Sequence, residues 1–296
     1  MIIRHSKFAK AKLGKQKLSV AARQRMMGAR ITRVSAIQST LDEPALASAS
    51  VLVVNELSGE RVFEKNGQSV TPIASITKLM TAMVVLDQHL PMNELITISE
   101  EDVDTVKNTS SRLAVGTTLS RSELMLLALM ASENRAAAAL ARTSPGGTAA
   151  FVARMNRTAA SLGMKHTRFS DSTGLRSENV STAEDLVRMV EAAHSYPEIR
   201  QFSTTGEYNV FSNATGREIA FRNTNPLVRE GDWQIGISKT GYISESGKCL
   251  VMHTTINDTP LVIVLLDSNG RMTRVVDAIR VKKWLESSPA AKLRAG

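Results

Sequence analysis

The sequence holds one cysteine, Cys249, in 296 residues, so it can build neither an internal disulfide framework nor a cysteine-rich zinc site. Histidine is sparse as well. The five are scattered and never form a His-Glu-x-x-His pattern, which argues against a zinc hydrolase. No run of 18 apolar residues occurs, and with it goes any obvious membrane-spanning helix. Acidic residues are missing from the first 41 positions, which carry ten Lys or Arg. The formal net charge of +9 therefore belongs to this arm and the remainder is nearly neutral. A nucleic-acid-binding fold is not implied.

Residues 1–45 are expected to form a basic, flexible arm, since they lack sustained periodicity and any aromatic beyond Phe8. A block of like charges also suits electrostatic contact with an anionic polymer or lipid surface. Ala45-Leu46-Ala47 resembles a signal cleavage site, but the apolar h-region of about 7–15 residues that should precede it is absent.

Beyond the arm, a chain of this size can bury one substantial core. Ser50–Asn55 reads as a strand and Arg61–Glu64 as its hairpin partner. Residues 74–90 are apolar on most sides and predict a buried helix. Further helices are expected from Ser120 (a Ser120-x-x-Glu123 capping box), over Arg135–Arg142, Thr148–Leu162 and Thr182–Ala193 (capped by Ser181-x-x-Glu184), and over Met272–Leu285. Strands return at Gln234–Thr240, Lys248–Thr255 and Leu261–Leu266, with Asn257-Asp258 as a hairpin turn. Strands at both ends joined by tight turns favour one antiparallel sheet of five strands over a βαβ repeat. The expected body is a single α+β domain, residues 46–288, with helices on both sheet faces and a largely helical central subregion. Residues 289–296 would be a tail.

Three polar motifs stand out against this frame. Ser75 and Lys78 lie three apart, on one face of the buried helix. Burial lowers a lysine's pKa, and a lysine near neutrality can take a proton from an adjacent serine, activating it without histidine. Ser132-Glu133-Asn134 follows the apolar run 124–130, where a buried helix ends. Lys239-Thr240-Gly241 lies on the first late strand, where glycine lets a ligand backbone approach. A second Ser-Glu-Asn, at 177–179, sits in a polar turn and is set aside. Cys249 reads as a packed core residue, and His89, His166, His194 and His253 as structural or surface residues.

Ser-x-x-Lys, Ser-x-Asn and Lys-Thr-Gly in this order resemble the motif set of the penicillin-binding proteins and related serine enzymes. The likeness extends to Pro72–Ala82, Ser132–Ala137, Asp171–Leu175, Asn223–Asn225 and Lys239–Tyr242, which are similar to the low-molecular-mass D-alanyl-D-alanine peptidases. The resemblance implies the fold shared by β-lactamases and penicillin-binding transpeptidases. It implies a serine peptidase acting on peptidoglycan stem peptides, acylated by β-lactam antibiotics, working in the periplasm without metal or cofactor. It also implies residue roles: Ser75 as nucleophile, Lys78 as base, Ser132 as proton relay, and Asn134, Lys239, Thr240, Gly241 and Tyr242 as the substrate-binding set, with the Ser75 and Tyr242 N–H groups as oxyanion hole.

A glutamate-x-x-leucine-asparagine segment of class A β-lactamases is missing between Asn134 and Lys239. Only 55 residues follow Gly241, too few for the β-rich second domain of the carboxypeptidase members, which favours the one-domain endopeptidases. The alternatives are a carboxypeptidase trimming pentapeptide stems and a non-catalytic peptidoglycan-binding module.

Overall fold

The computed structural model describes residues 43–288; the predicted tail and all but the last three residues of the predicted arm lie outside them. Strands β1 (Ser50–Asn55) and β2 (Arg61–Lys65) form the expected hairpin. After β3 (Thr71–Pro72), a 3-10 turn over Ala74–Ile76 runs into α1 (Thr77–Asp87). The pair β4 (Leu95–Thr97) and β5 (Thr118–Ser120) precedes α2 (Arg121–Met130), α3 (Asn134–Arg142) and α4 (Gly147–Ser161). Next come β6 (Val180–Ser181), α5 (Ala183–His194), α6 (Pro197–Ser203), the hairpin β7 (Glu207–Ser212)–β8 (Arg217–Arg222), and α7 (Pro226–Glu230). Strands β9 (Gln234–Ile243), β10 (Gly247–Ile256) and β11 (Thr259–Ser268), then α8 (Thr273–Ser287), close the described chain.

The main sheet has the order β2-β1-β11-β10-β9, antiparallel at every pairing, so the fold is α+β as expected. Alternation along its strands feeds two cores, as the period-two geometry of a strand demands. Leu52, Val54, Val251, Val262 and Val264 join the helical core, whereas Val51, Val53, Leu250, Ile263 and Leu265 pack with Val275, Val281 and Trp284 of α8. Both faces are thus covered. Each fully buried aliphatic side chain contributes about 1.5–3 kcal/mol, which explains why the sheet carries so few polar residues at its centre.

Helix α1 is enclosed by α2, α3, α4 and α5, and Thr77 through Val85 are all buried. It begins later than its apolar pattern suggested. Ala74 sits at φ +45°, outside the helical region, and His89 at φ +50° terminates the other end. The Ser120–Glu123 capping box forms on both sides, with Glu123 N donating to Ser120 Oγ (3.2 Å) and Ser120 N to Glu123 Oε2 (2.8 Å). The cap of α5 differs from expectation by one residue. Thr182 accepts from Asp185 N at 3.1 Å, while Ser181 lies in β6 and pairs with the Thr167 hydroxyl. Asn257 and Asp258 turn as foreseen, both at positive φ.

Helix α6 and the β7–β8 hairpin were not anticipated. The first is short, and the second is mostly exposed, its alternation carried only by Tyr208, Val210, Ile219 and Phe221. Among the described residues no helix is long and apolar enough to cross a membrane. Because the Ser120 cap satisfies an otherwise orphaned helix N–H, Ser120→Ala is expected to cost about 1 kcal/mol. Thermal denaturation should register a fall of about 2–4 °C in a body of this size.

Candidate active site

The N-terminus of α1 is held against two other segments by close backbone approach. The left-handed conformation of Ala74 turns its carbonyl toward Gly174, where a Cβ would lie 1.9 Å from that oxygen. A Cβ on Gly241 would lie 3.2 Å from Ser75 N. Ser75 is therefore presented in a fixed 3-10 turn between the 171–175 loop and β9, where no side chain fits beside it.

Lys78 is buried one turn further on. Its Nζ donates to Ser75 Oγ (2.7 Å), Asn134 Oδ1 (2.8 Å) and the Thr173 carbonyl (2.7 Å), so all three ammonium protons have acceptors. Burial pushes Lys78 down from 10.5 to about 7, opposed by the negative charges of Asp171 and Glu133. The expected spacing thus produces the expected contact and a lysine that exchanges its proton near neutrality.

Ser132 and Asn134 bracket the turn between α2 and α3, and Ser132 adopts φ +61°, an uncommon conformation for a residue other than glycine. Asn134 reaches Lys78. Lys239 Nζ donates to Ser132 Oγ (2.9 Å) and to the Thr240 carbonyl (2.8 Å). The three motifs are therefore joined side chain to side chain, as Ser75–Lys78–Asn134 on one branch and Ser132–Lys239 on the other. Burial, then Lys78, then Arg274 hold Lys239 well below its ordinary pKa. Thr240 Oγ1 donates to Thr224 Oγ1 at 2.6 Å. Tyr242 turns its ring outward over Lys248, 3.9 Å from the centroid, leaving its backbone as the part next to Gly241.

Several residues make contacts to which the sequence reading assigned no role. Glu133, the middle residue of its motif, is buried and accepts from Ser111 Oγ at 2.7 Å. The 171–175 loop supplies the Thr173 carbonyl to Lys78 and the Ser172 carbonyl to Thr81 (2.7 Å). Asp171 shapes that loop by accepting from the N–H groups of Thr173, Gly174 and Arg176. Asn179, from the discounted second Ser-Glu-Asn, is fully buried behind α1 and donates to Thr77 Oγ1 at 3.0 Å. Arg274 of α8 has a buried Nε with no partner, and it lies near enough to Lys239 and Cys249 for their charges to interact. Cys249 is buried and its thiol is pushed up to about 11, consistent with a packing residue. A cleft lined by Glu101, Asp104, Asn134, Asp171, Thr173 and Arg176 opens beside the Lys78 pair. The Lys107–Glu245 ion pair links the loop bearing Lys107 to the β9–β10 turn.

Residues 37–270 match the sequence pattern of the peptidase S11 family, described as D-alanyl-D-alanine carboxypeptidase. The chain is 47% identical over 250 residues to a D-alanyl-D-alanine endopeptidase of Pseudomonas aeruginosa, covering 84% of this chain and 81% of the relative. It is 44% identical over 265 residues to the Escherichia coli protein of that name, covering 88% and 85%. Relatives named D-alanyl-D-alanine carboxypeptidase, from Bacillus subtilis among others, are 26–27% identical. The fold superposes on the crystal structure of the Streptomyces K15 DD-transpeptidase with a TM-score of 0.76 at 28% identity, covering 83% of this chain and 99% of that one.

Three outcomes follow from this arrangement. Gly174→Ala should destabilise the fold by several kcal/mol, about 3 or more, because the clash is with backbone and the φ of +84° disfavours any side chain. An NMR titration of 13Cε-labelled lysine should follow Lys78 through a midpoint near 7. Glu133→Gln removes a negative charge that favours the ammonium, so that midpoint should move to lower pH.

Proposed function

The chain belongs to the S11 family of D-alanyl-D-alanine peptidases, and from that premise we propose that it is an endopeptidase cutting D-alanyl cross-links in peptidoglycan through a Ser75 acyl-enzyme. The observation that carries this reading is the short, buried Ser75–Lys78 contact with Lys78 poised near neutrality. The endopeptidase assignment rests on the relatives of that name, which are much more similar than the carboxypeptidases.

In this mechanism neutral Lys78 takes the Ser75 hydroxyl proton as Oγ attacks the D-alanyl carbonyl. The backbone N–H groups of Ser75 and Tyr242 receive the developing oxyanion, in the space that Gly241 keeps free of a side chain. Collapse of the tetrahedral species breaks the C–N bond, and Ser132, hydrogen-bonded to Lys239, relays a proton: it gives its own to the leaving amine and takes back the one Lys78 removed from Ser75, which leaves Lys78 neutral. Water then attacks the ester, Lys78 accepting its proton and returning it to Ser75 Oγ as the ester bond breaks. Asn134 orients the substrate amide while holding Lys78.

A D-amino acid on the leaving side carries a carboxylate close to the scissile nitrogen. Lys239, Thr240 and Arg274, whose buried Nε has no partner, are the groups placed to receive it. Burial leaves Lys239 reluctant to hold its charge in the empty site, and an arriving carboxylate reverses that preference, so substrate binding itself completes the positive field. The same site can release a terminal D-alanine, which makes carboxypeptidase activity the second reading. The family acts on peptidoglycan and binds β-lactams. A periplasmic location fits a substrate in the wall, and the ten cations of residues 1–41 suit an anionic wall or membrane surface there.

Intact-mass spectrometry with penicillin should find one adduct on the wild type and none on Ser75→Ala; no adduct on either would reject the acyl-enzyme. Lys78→Ala should slow acylation by about 10²–10⁴-fold. In the wild type the acylation rate should rise with pH through about 7, as Lys78 loses its proton. Incubation with cross-linked muropeptide dimers and with pentapeptide monomers separates the two peptidase readings by which substrate disappears. Arg274→Gln should raise KM for both, leaving penicillin acylation of Ser75 detectable.

A further inference from the structure

At the opposite end of β9 from Tyr242, four elements converge on a cluster that the catalytic reading leaves unused. Glu56 follows β1 directly, His194 is the last residue of α5, His253 lies in β10, and Gly236 lies in β9. The two imidazoles are stacked, 3.6 Å between centroids and 19° between planes. One oxygen of Glu56 is 2.8 Å from His253 Nε2 and the other 3.6 Å from His194 Nδ1. The donor atoms of all three residues lie within 4.8 Å of one another.

We propose that Glu56, His194 and His253 form a binding site for a divalent transition-metal ion of the Zn²⁺ class, separate from the catalytic centre. Two imidazole nitrogens and one carboxylate oxygen are a donor set suited to such an ion, with water completing the shell. Tetrahedral zinc with bonds of about 2.0–2.1 Å needs donors roughly 3.3 Å apart; Glu56 Oε2 already lies 2.8 Å from His253 Nε2, and the set of one donor atom per residue, within 4.8 Å overall, must draw in around the ion. The stacked rings must splay for their lone pairs to converge. His194 is partly exposed and can swing, while His253 is 5% exposed and fixed.

Three further observations support a built site over a chance encounter. A Cβ on Gly236 would lie 2.8 Å from His253 Nδ1 and 2.9 Å from His194 Nε2, so only a strand position without a side chain accommodates the paired rings. The Nδ1 of His253 is buried with no hydrogen-bond partner, which leaves this ring without the second anchor a purely structural histidine would have. Glu191, one turn before His194 on α5, is near enough to Glu56 and His253 to interact with their charges, and it adds negative potential around an incoming cation. Gly236 is three residues from Lys239, about 10 Å along the strand, so the ion would tie β1, α5 and β10 together outside the cleft.

Chelator-treated full-length protein titrated with Zn²⁺ should bind one ion per chain. Its melting temperature should rise by about 5 °C at a hundredfold excess over Kd. Co²⁺ should give the visible d–d bands of a tetrahedral N/O site, and Mg²⁺ should do neither, since hard cations favour all-oxygen shells. The double variant Glu56→Gln/His194→Ala should lose at least about 100-fold in Zn²⁺ affinity. Its continued acylation by penicillin would show that it is folded. The double variant His89→Ala/His166→Ala should bind as the wild type does. Absence of saturable one-to-one Zn²⁺ binding by the wild type would overturn the proposal, as would binding that persists unchanged in Glu56→Gln/His194→Ala. Neither result would touch the Ser75 reading, which the penicillin adduct tests separately.

Discussion

The burial of one lysine governs the design of this molecule. Moving Lys78 from 10.5 to about 7 corresponds to about 5 kcal/mol of preference against its charged form. A helix that places a cation in its interior must supply acceptors for every proton, or the fold would not tolerate it. Ser75, Asn134 and the Thr173 carbonyl are those acceptors, one from each of three chain segments. Asp171 and Glu133 then keep the lysine from becoming permanently neutral. The same contacts that make the lysine tolerable therefore assemble the site around the serine.

The backbone is bent to serve this arrangement. Ala74 and Ser132 occupy left-handed conformations that cost an ordinary residue about 1 kcal/mol or more; the first directly precedes Ser75 and the second hydrogen-bonds Lys239. The cost is met by packing on either side: α1 is walled in by four helices, and the 171–175 loop is laced to it through Ser172, Thr173 and Asn179. Gly174 and Gly241 permit the closest approaches. Rigidity here comes from surroundings that leave the serine turn nowhere else to go.

What the sequence made legible was local. Ser75 and Lys78 share a turn, so their spacing alone announces a contact. Short β-branched, apolar runs in β1 and β9–β11 likewise pointed to a sheet with helices on both faces. Backbone acceptors such as the Thr173 carbonyl carry no residue signature, and the partner of Glu133 lies 22 positions away at Ser111. Arg274 looked like any surface cation on an amphipathic helix. The α5 cap was ambiguous because Ser181 and Thr182 each precede an acid by three residues, and only the strand pairing of Ser181 with Thr71 decides between them. His194 and His253 lie 59 positions apart, and only the strand order, with α5 packed on the sheet, brings them together. The polar hairpin β7–β8 shows the converse case, in which structure forms with little burial to mark it.

Asp277 of α8, fully buried, accepts from Ala47 N (3.0 Å), Ser48 N (2.8 Å) and Ser48 Oγ (2.8 Å), and so fastens the chain just before β1 to the last helix. β1 itself is flanked on both sides by antiparallel partners. A tensile load entering at residue 44 would meet the Asp277 latch first, and then the β1 ladder pulled along its own axis, where many hydrogen bonds must slide at once. In mechanical terms the body is anchored in shear at the end where its basic segment joins.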